Sequence, residues 1–412
     1  MKYAISAVLL LAALALGQNW IVEQIDSTAA AESPVELVKA ADGRLWAAYQ
    51  TDSVVRVACL GDSGWSITEV CSARVPPPFD RPFLAAGPHG ELCLSCYGSG
   101  ADSSWLCRLV ADTWQREPYP DSTFGTVAYD TAGRLHGSYE RQVSEFWAGH
   151  ETDSGWTSGL VVYMGVFGYF YVTVDCFTVA ADGSPWDFVY TFWDWSQHVW
   201  SEQSSLMHQC GDTWVEVWHG SDLPLAIVPH GDSVGYVTID SFGISCDGEH
   251  VAEVPANSNS VGGLAYTAAD VPLVAWVRRF APADIPFFAF KTNRWHVEAI
   301  PGPAGVGGVD IEVNDNGQVV IVYSTEDSGL WCARGADVVG VRESPEPQTS
   351  VRKPEPTIMT GASGARRPAS SIVFDAMGRR VASPSSGIYF VRDEPQASSH
   401  RPQTARKVII AE

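Results

Sequence analysis

The sequence predicts an all-β protein: a seven-bladed β-propeller followed by a small β-sandwich-like C-terminal module. Three observations predict this fold: the composition, a repeat of about 45 residues, and an N-terminal segment that completes the last repeat. Charged residues make up only 18% of the 412 residues and aromatic residues 11%, beside 37 glycines and 25 prolines. Apolar chains with many turn-forming residues are typical of all-β folds.

Each repeat begins with an apolar strand and a first turn, followed by a second strand that carries an aromatic residue. Glycine occupies six of the seven first turns and supplies the positive φ that a two-residue hairpin turn requires. The first turns are Asp42-Gly43, His89-Gly90, Ala132-Gly133, Asp182-Gly183, His230-Gly231, Ala269-Asp270 and Asn316-Gly317. The aromatic residues are Tyr49, Tyr97, Tyr139, Tyr190, Tyr236, Trp276 and Tyr323. Four short antiparallel strands in each repeat form one blade of a propeller.

A second turn, ending in tryptophan, leads into the fourth strand of most repeats. The tryptophans are Trp65, Trp114, Trp156, Trp214 and Trp295. The seventh repeat has no such strand after Trp331, but the segment Trp20 to Glu23 has the missing Trp-x-x-Glu form. We therefore predict that the N-terminal strand closes the last blade and removes its free edge, which gives a ring over residues 18–340. Six or eight blades are the alternatives, because the fifth repeat is degenerate.

The N-terminus has the form of a secretory signal peptide. An apolar run from Ala4 to Leu16 follows Lys2, and Ala15-Leu16-Gly17 fits the small-residue cleavage rule, so that residues 1–17 would be removed. The run is too short to span a bilayer and no later stretch qualifies, so we expect no transmembrane span. The predicted location is outside the cell or at its outer surface.

The net charge of −22 lies in the propeller. Residues 1–340 hold 15 lysines and arginines against 41 acids, whereas residues 341–412 hold 11 against 7. An acidic body repels phosphate backbones. Nucleic acid is therefore not an expected partner.

Nine cysteines are present, so at least one is unpaired within the chain. Cys93 and Cys96 form a C-x-x-C, but they lie in a predicted strand, where an odd spacing points two side chains to opposite faces. We interpret the cysteines as buried apolar residues, with one or two bridges among them. No metal site and no cofactor are predicted.

Insertions fall on the end of the ring that carries the middle loops of the blades and the connections between blades. They span residues 71–82, 158–173 and 191–206, and the last two are rich in aromatic residues. Because aromatic rings on loops suit flat ligands such as sugars, Trp193, Trp195 and Trp200 are candidate residues for binding a glycan or a protein. The acids Asp187 and Asp194 are candidates beside them. The alternative is that these aromatic residues cover the end of the barrel or pack between blades.

An enzymatic alternative arises from the second turn. The segment Asp153-Ser154-Gly155-Trp156 resembles the Asp-box of sialidase-like propellers, but its acid lies three residues before tryptophan where that family has five. No arginine matches the family's motifs, so the resemblance is architectural and assigns no catalytic residue. A sialidase-like glycoside hydrolase, in which Asp187 and Asp194 would be tested as the carboxylate pair, is the alternative to a binding module. A structural surface protein is the third possibility.

The C-terminal region divides into a proline-rich linker, residues 341–370, and a module, residues 371–412. Three motifs follow in order in the module: Asp375 to Val381 with Gly378-Arg379, then Gly387-Ile388-Tyr389-Phe390, then Arg406-Lys407 before an apolar end. Their form and order resemble the type A sorting domain of cargo for the type IX secretion system of Gram-negative bacteria. The resemblance covers about an eighth of the chain and implies that the secretion machinery recognises these motifs. A plain Ig-like stalk domain is the alternative.

Overall fold

A computed structural model describes residues 20–335, with short gaps, and four segments of the C-terminal region. The gaps are 30–32, 53, 73–81, 98–103, 119–124, 143–144, 164–168, 196–198, 241, 254–259, 279–284, 304–305 and 326–328, and the C-terminal segments are 357–360, 371–374, 387–393 and 406–411. The chain forms two compact units, Met1–Val341 and Arg342–Glu412. The predicted signal peptide, the run Pro76 to Pro78, and Gly378 and Arg379 lie outside the described residues. No membrane-spanning helix is found among the described residues.

The first unit contains seven four-stranded antiparallel sheets, which are the blades of a seven-bladed propeller. Blades one to three contain β2 (Glu36–Lys39), β3 (Leu45–Gln50), β4 (Val54–Gly61) and β5 (Gly64–Ser72); β6 (Phe83–Ala86), β7 (Leu92–Tyr97), β8 (Ser104–Val110) and β9 (Thr113–Pro118); and β10 (Gly125–Tyr129), β11 (Leu135–Gln142), β12 (Glu145–Thr152) and β13 (Gly155–Tyr163). Blades four and five contain β14 (Tyr169–Val179), β15 (Pro185–Trp195), β16 (Val199–Cys210) and β17 (Thr213–Gly220); and β18 (Leu223–His230), β19 (Ser233–Ile239), β20 (Ile244–Cys246) and β21 (Glu249–Ala252). Blades six and seven contain β22 (Ser260–Tyr266), β23 (Pro272–Arg278), β24 (Phe287–Lys291) and β25 (Trp295–Ala299); and β26 (Val306–Val313), β27 (Val319–Thr325), β28 (Leu330–Arg334) and β1 (Ile21–Asp26). The prediction of seven blades is confirmed.

The N-terminal strand closes the ring, as predicted. β1 pairs antiparallel with β28, so that Ile21 lies opposite Arg334. Just before β1, the indole N–H of Trp20 donates to Glu298 of blade six at 3.1 Å, and its ring contacts Phe288 edge-on at 5.4 Å between centroids. The closing strand therefore also ties blade seven to blade six.

The first turns carry the predicted positive φ but are longer than predicted in six blades. The residue at the glycine position has φ between 60° and 97° in all seven blades, including Asp270 at 67°. In blade one, Gly43 N donates to Ala40 O and Ala40 N donates to Arg44 O, both at 2.9 Å, which makes a three-residue loop. Only blade five has a two-residue turn, between the paired residues His230 and Ser233. A type I turn followed by a left-handed residue also matches the twist of a hairpin.

The core consists of seven apolar clusters, one between each pair of consecutive blades. Successive side chains of the second strand point to opposite faces of the sheet and pack against opposite neighbouring blades. Thus Cys93 packs towards blade three, whereas Cys96 packs towards blade one, as the odd spacing predicted. Each blade depends on both of its neighbours, because either face of its sheet is exposed without them.

The described residues of the second unit form one four-stranded sheet, β29 (Thr357–Thr360), β32 (Arg406–Ala411), β31 (Gly387–Asp393) and β30 (Ser371–Phe374), in that order across the sheet. Gly387-Ile388-Tyr389-Phe390 lies in β31 beside Arg406 and Lys407 of β32, and Phe390 is paired with Lys407. One feature differs from the sequence analysis: β29 falls within the predicted linker, and it pairs parallel with β32. Four β-forming residues between Pro356 and a glycine were too short a run to predict as a strand.

Candidate functional site

Among the described residues, blade four extends further than the other blades at the end of the ring that carries the insertions. Its first three strands have 11, 11 and 12 residues, whereas their counterparts in the other blades have 3 to 8. β15 continues five residues past Tyr190, whereas the equivalent strands, as far as the structure describes them, reach at most three residues past the same position. At the rise of a β-strand, five residues extend the sheet by about 16 Å. We call this part the blade-four extension: residues 169–172, 191–195 and 199–203.

The extension corrects one expectation. Residues 191–206 were expected to form a loop, but the chain is strand to Trp195 and strand again from Val199. The preceding insertion joins the same sheet, because Tyr169 begins β14 and pairs with Asp194. The run Thr191 to Trp195 consists mostly of aromatic and β-branched residues, which favour strands. The end of the insertion 158–173 and the strands of the insertion 191–206 are therefore neighbours in one sheet, whereas residues 158–163 belong to β13 of blade three.

Strand register separates the three candidate tryptophans into two groups. Trp193 lies opposite Phe170 and Ser201, whereas Trp200 lies opposite Asp194. Opposite residues share a face of a sheet and alternate residues share it along a strand. Trp193 and Trp195 are thus placed on one face of the extension, and Trp200 and Asp194 on the other. Their part in ligand binding stays a prediction.

Asp187 does not join this group. It lies seven residues from Asp194 on the same strand, a separation of about 23 Å. It is fully buried, and its register partners Phe177 and Met207 belong to the apolar cluster between blades three and four. Glycosidases hold their two carboxylates about 5–9.5 Å apart. Asp187 and Asp194 therefore cannot act as such a pair.

Phe242 of blade five lies at the same end of the ring and was missed by the sequence analysis. It is 77% exposed, in the turn between β19 and β20. The Asp240 carboxylate accepts hydrogen bonds from the backbone N–H of Phe242 and Gly243, at 2.7 and 2.8 Å, and so holds the turn. A large aromatic ring presented to solvent on a held turn is unusual enough to indicate a contact site. The signal in the sequence was the Asx turn Asp240-Ser241-Phe242-Gly243.

The sequence that forms blades four and five carries no permanently charged basic residue. Residues 142–277 contain no lysine or arginine and 17 aspartates and glutamates. This stretch includes all of blades four and five. Such a sector repels anionic ligands and leaves neutral or cationic ones.

The central channel is another candidate site, and it is lined by the first strands of all seven blades. Its volume is about 290 Å³, at the small end of the range for ligand pockets. Two of its acids are engaged with the backbone: Asp310 accepts from Leu37 N at 2.7 Å and from Ile311 N at 2.8 Å, and Glu312 accepts from Val313 N at 2.9 Å. Burial raises the pKa of Glu312. Asp310 therefore links the first strands of blades seven and one, whereas Glu312 is bonded within its own strand.

Comparison with known proteins supports the fold. No family model matches the chain, and no curated protein matches it. Among solved structures, an ulvan lyase of a polysaccharide lyase family has a TM-score of 0.50 and 8% identity, covering 75% of this chain and 93% of the lyase. A protein of unknown function from Dyadobacter fermentans has a TM-score of 0.47 and 10% identity, covering 77% and 98%. The propeller domain of the Trilobed protease from Pyrococcus furiosus has a TM-score of 0.47 and 8% identity, covering 73% and 93%. At these identities the comparisons show a β-propeller and nothing finer.

Proposed function

We propose that this protein is an exported β-propeller that binds neutral glycan chains at the blade-four extension. The observation that carries the proposal is the pairing of strands from two aromatic insertions in one sheet that continues about 16 Å past Tyr190, further than the second strands of the other blades as described. Sugar rings present flat C–H faces that stack on aromatic side chains. Aromatic residues at neighbouring register positions suit successive sugars of a chain.

The charge of the sector selects the class of glycan. The ulvan lyase is bound to a saccharide of glucuronate and sulfated rhamnose, which is anionic. With no lysine or arginine in residues 142–277, the present chain has no cation in this sector to pair with such groups. A neutral glycan avoids the repulsion of 17 acids and still offers hydroxyl groups to them.

The positions of the carboxylates support binding without hydrolysis better than they support catalysis. The carboxylate pair suggested by the sequence is too widely separated, and Asp310 and Glu312 in the channel accept backbone hydrogen bonds. A sialidase would also need cations for the carboxylate of its substrate. Blades four and five provide none.

A glycan array tests the proposal, with the full chain beside Trp193→Ala/Trp195→Ala, Trp200→Ala and Phe242→Ala. We expect binding to neutral glycans, and a loss of about 30-fold or more for the double variant, since the loss of even one buried aromatic contact in a binding site costs about 2 kcal/mol or more. Trp200→Ala, on the other face, shows which face of the extension is used. Ile67→Ala is the matched control: Ile67 is 41% exposed on blade one, three blades away, and we expect no effect.

Three outcomes would contradict the proposal. Binding restricted to sulfated or uronic acid glycans would contradict the electrostatic argument. Equal losses for the double variant and for Ile67→Ala would contradict the site. No binding by a folded wild-type chain would favour a protein ligand or a structural role.

Export through the C-terminal unit is the second part of the proposal. It is supported by the resemblance of the three motifs, two of which lie on the paired strands β31 and β32. In a host with the type IX machinery, we expect Arg406→Ala/Lys407→Ala to retain the protein in the periplasm. The control is Arg366→Ala/Arg367→Ala, which removes two charges from the predicted linker. Release of both variants to the outside in wild-type amounts would contradict a sorting role for Arg406 and Lys407.

A further inference from the structure

Three cysteine thiols from two blades meet in the cluster between blade one and blade two. Cys71 lies on the outer strand of blade one, and Cys96 and Cys107 lie on the second and third strands of blade two. Their sulfur atoms are all within 4.8 Å of one another, and all three residues are buried. The sulfurs of Cys71 and Cys96 are 2.8 Å apart. All three are free thiols in this structure.

From this geometry we propose that Cys71 and Cys96 form a disulfide that links blade one to blade two, with Cys107 as a third thiol able to exchange with it. A bond of about 2.05 Å requires these two sulfurs to approach by less than 1 Å. The cysteines of the C-x-x-C pattern do not pair with each other, because Cys93 packs on the opposite face. The cross-link would close a loop that includes residues 73–81, the connection between these blades.

A metal ion is the competing occupant, and two observations favour the disulfide over it. Thiolates that share one tetrahedral zinc ion at about 2.3 Å lie about 3.8 Å apart, so Cys71 and Cys96 would have to separate by about 1 Å. A three-thiolate site would also place negative charge among Val55, Val57 and Leu94, which line the cluster. A disulfide is neutral and suits these apolar neighbours.

The chemistry requires a disulfide as oxidant, such as oxidised glutathione. Cys71 and Cys96 together lose two electrons and two protons to form one S–S bond, and the glutathione disulfide is cleaved to two thiols that receive them. Cys107 is suited to exchange because hydrogen bonds from the Cys71 and Cys96 thiols, which outweigh burial, lower the pKa of its own thiol. Its thiolate can attack the bond and be displaced again, since exchange proceeds through thiolates. The oxidising setting rests on the proposed export.

The test is peptide mapping of the full chain after equilibration with oxidised and reduced glutathione, and it needs no export. We expect a peptide that links Cys71 to Cys96, and its loss in Cys71→Ser. Cys107→Ser is the control that keeps the link while removing the third thiol. Reduction of the wild-type chain should lower its unfolding midpoint by about 5 °C or more, and reduction of Cys71→Ser should not.

Two results would overturn the proposal. The first is alkylation of both Cys71 and Cys96 in the oxidised chain after unfolding without reductant. The second is one equivalent of zinc or copper in the purified protein that is lost in both Cys71→Ser and Cys107→Ser, which would assign the cluster to a metal. If the disulfide forms in the purified protein but the protein is not secreted, the proposed export is contradicted and the proposed disulfide is not.

Discussion

Replacement of Asp187 by asparagine is expected to stabilise the propeller above pH 7 and to remove a pH dependence between about pH 4 and pH 7. Burial raises the pKa of Asp187 from 3.8 to about 7, although the Ser138 hydroxyl opposes the rise. Among the described residues, neither carboxylate oxygen accepts a hydrogen bond of good geometry. The carboxyl group lies within the apolar cluster between blades three and four, which favours its neutral form.

The sign follows from proton binding. Between the pKa of an unfolded aspartate, about 3.9, and the folded value of about 7, the native state binds more protons than the unfolded state. The stability linked to protonation of Asp187 is therefore fully present below about pH 4 and is lost as the pH rises to about 7. A pKa raised from 3.8 to about 7 corresponds to a loss on the order of 4 kcal/mol. Asparagine cannot ionise, so its variant avoids this loss.

The measurement is urea unfolding of both proteins at pH 4.5, 6 and 8. The two midpoints should be close at the lowest pH and separate as the pH rises, with the variant the more stable. Asp182→Asn is the control, because Asp182 lies on the exposed first turn of the same blade and hydrogen bonds from Ser184 lower its pKa. If the unfolding midpoints of the wild type and of Asp187→Asn changed with pH in parallel, Asp187 would not be a buried titrating group.

Removal of the Asp26 carboxylate is expected to destabilise the ring by about 3 kcal/mol, because it leaves the buried Tyr49 hydroxyl without its acceptor and removes one of the two carboxylates, Asp26 and Glu69, that pair with Arg56. Asp26 ends the closing strand. It accepts hydrogen bonds from the Tyr49 hydroxyl at 2.6 Å, from Arg56 at 3.0 Å, and from Thr28. Tyr49 is fully buried, and in blade one it occupies the aromatic position that recurs in every repeat. This network ties blade seven to blade one, its neighbour on the side away from blade six, which the Trp20 contact reaches.

Denaturant unfolding of Asp26→Ala measures the effect, with Asp42→Ala as the control. Asp42 also pairs with an arginine, Arg44 at 2.7 Å, but both side chains are about half exposed, so we expect a cost of at most about 1 kcal/mol. Similar costs for the two variants would contradict the role of the network. Tyr49→Phe completes a double-mutant cycle, in which a coupling near zero would assign the loss to the contacts with Arg56 and Thr28.

The pH dependence of this network has the opposite sign to that of Asp187. Burial alone would raise the pKa of Asp26, but hydrogen bonds from Tyr49, Thr28 and Arg56 outweigh it, and the pKa is lowered. Its contribution to stability is thus present above about pH 4 and lost as the pH falls through the lowered pKa. The acid limb of the stability curve should be flatter in Asp26→Asn than in the wild type.

The blades could be read from the sequence because the information that defines them is local. The glycine of each first turn, the aromatic residue that follows and the tryptophan of the outer strand recur within one repeat. Only the turn length was wrong, because a positive φ is shared by two- and three-residue hairpin loops. Closure by Trp20 to Glu23 was also predictable, since the seventh repeat lacked a strand of that form.

The candidate site could be predicted only in part. The aromatic insertions were recognised, but their union in one sheet depends on the pairing of Tyr169 with Asp194, 25 positions apart. Phe242 was missed because one exposed ring has no periodic pattern. Asp187 could not be assigned from the sequence, because a carboxylate on a strand looks the same whether it faces solvent or the neighbouring blade.

By itself the sequence determined the fold class, the number of blades, the closing strand and the acidic character of blades four and five. Only the tertiary structure decided which residues of different blades meet: Cys71 with Cys96 and Cys107, Asp26 with Tyr49 and Arg56, and Asp187 with an apolar cluster. The physical reason is that hairpins form from neighbouring residues, whereas contacts between blades are set by closing the whole ring.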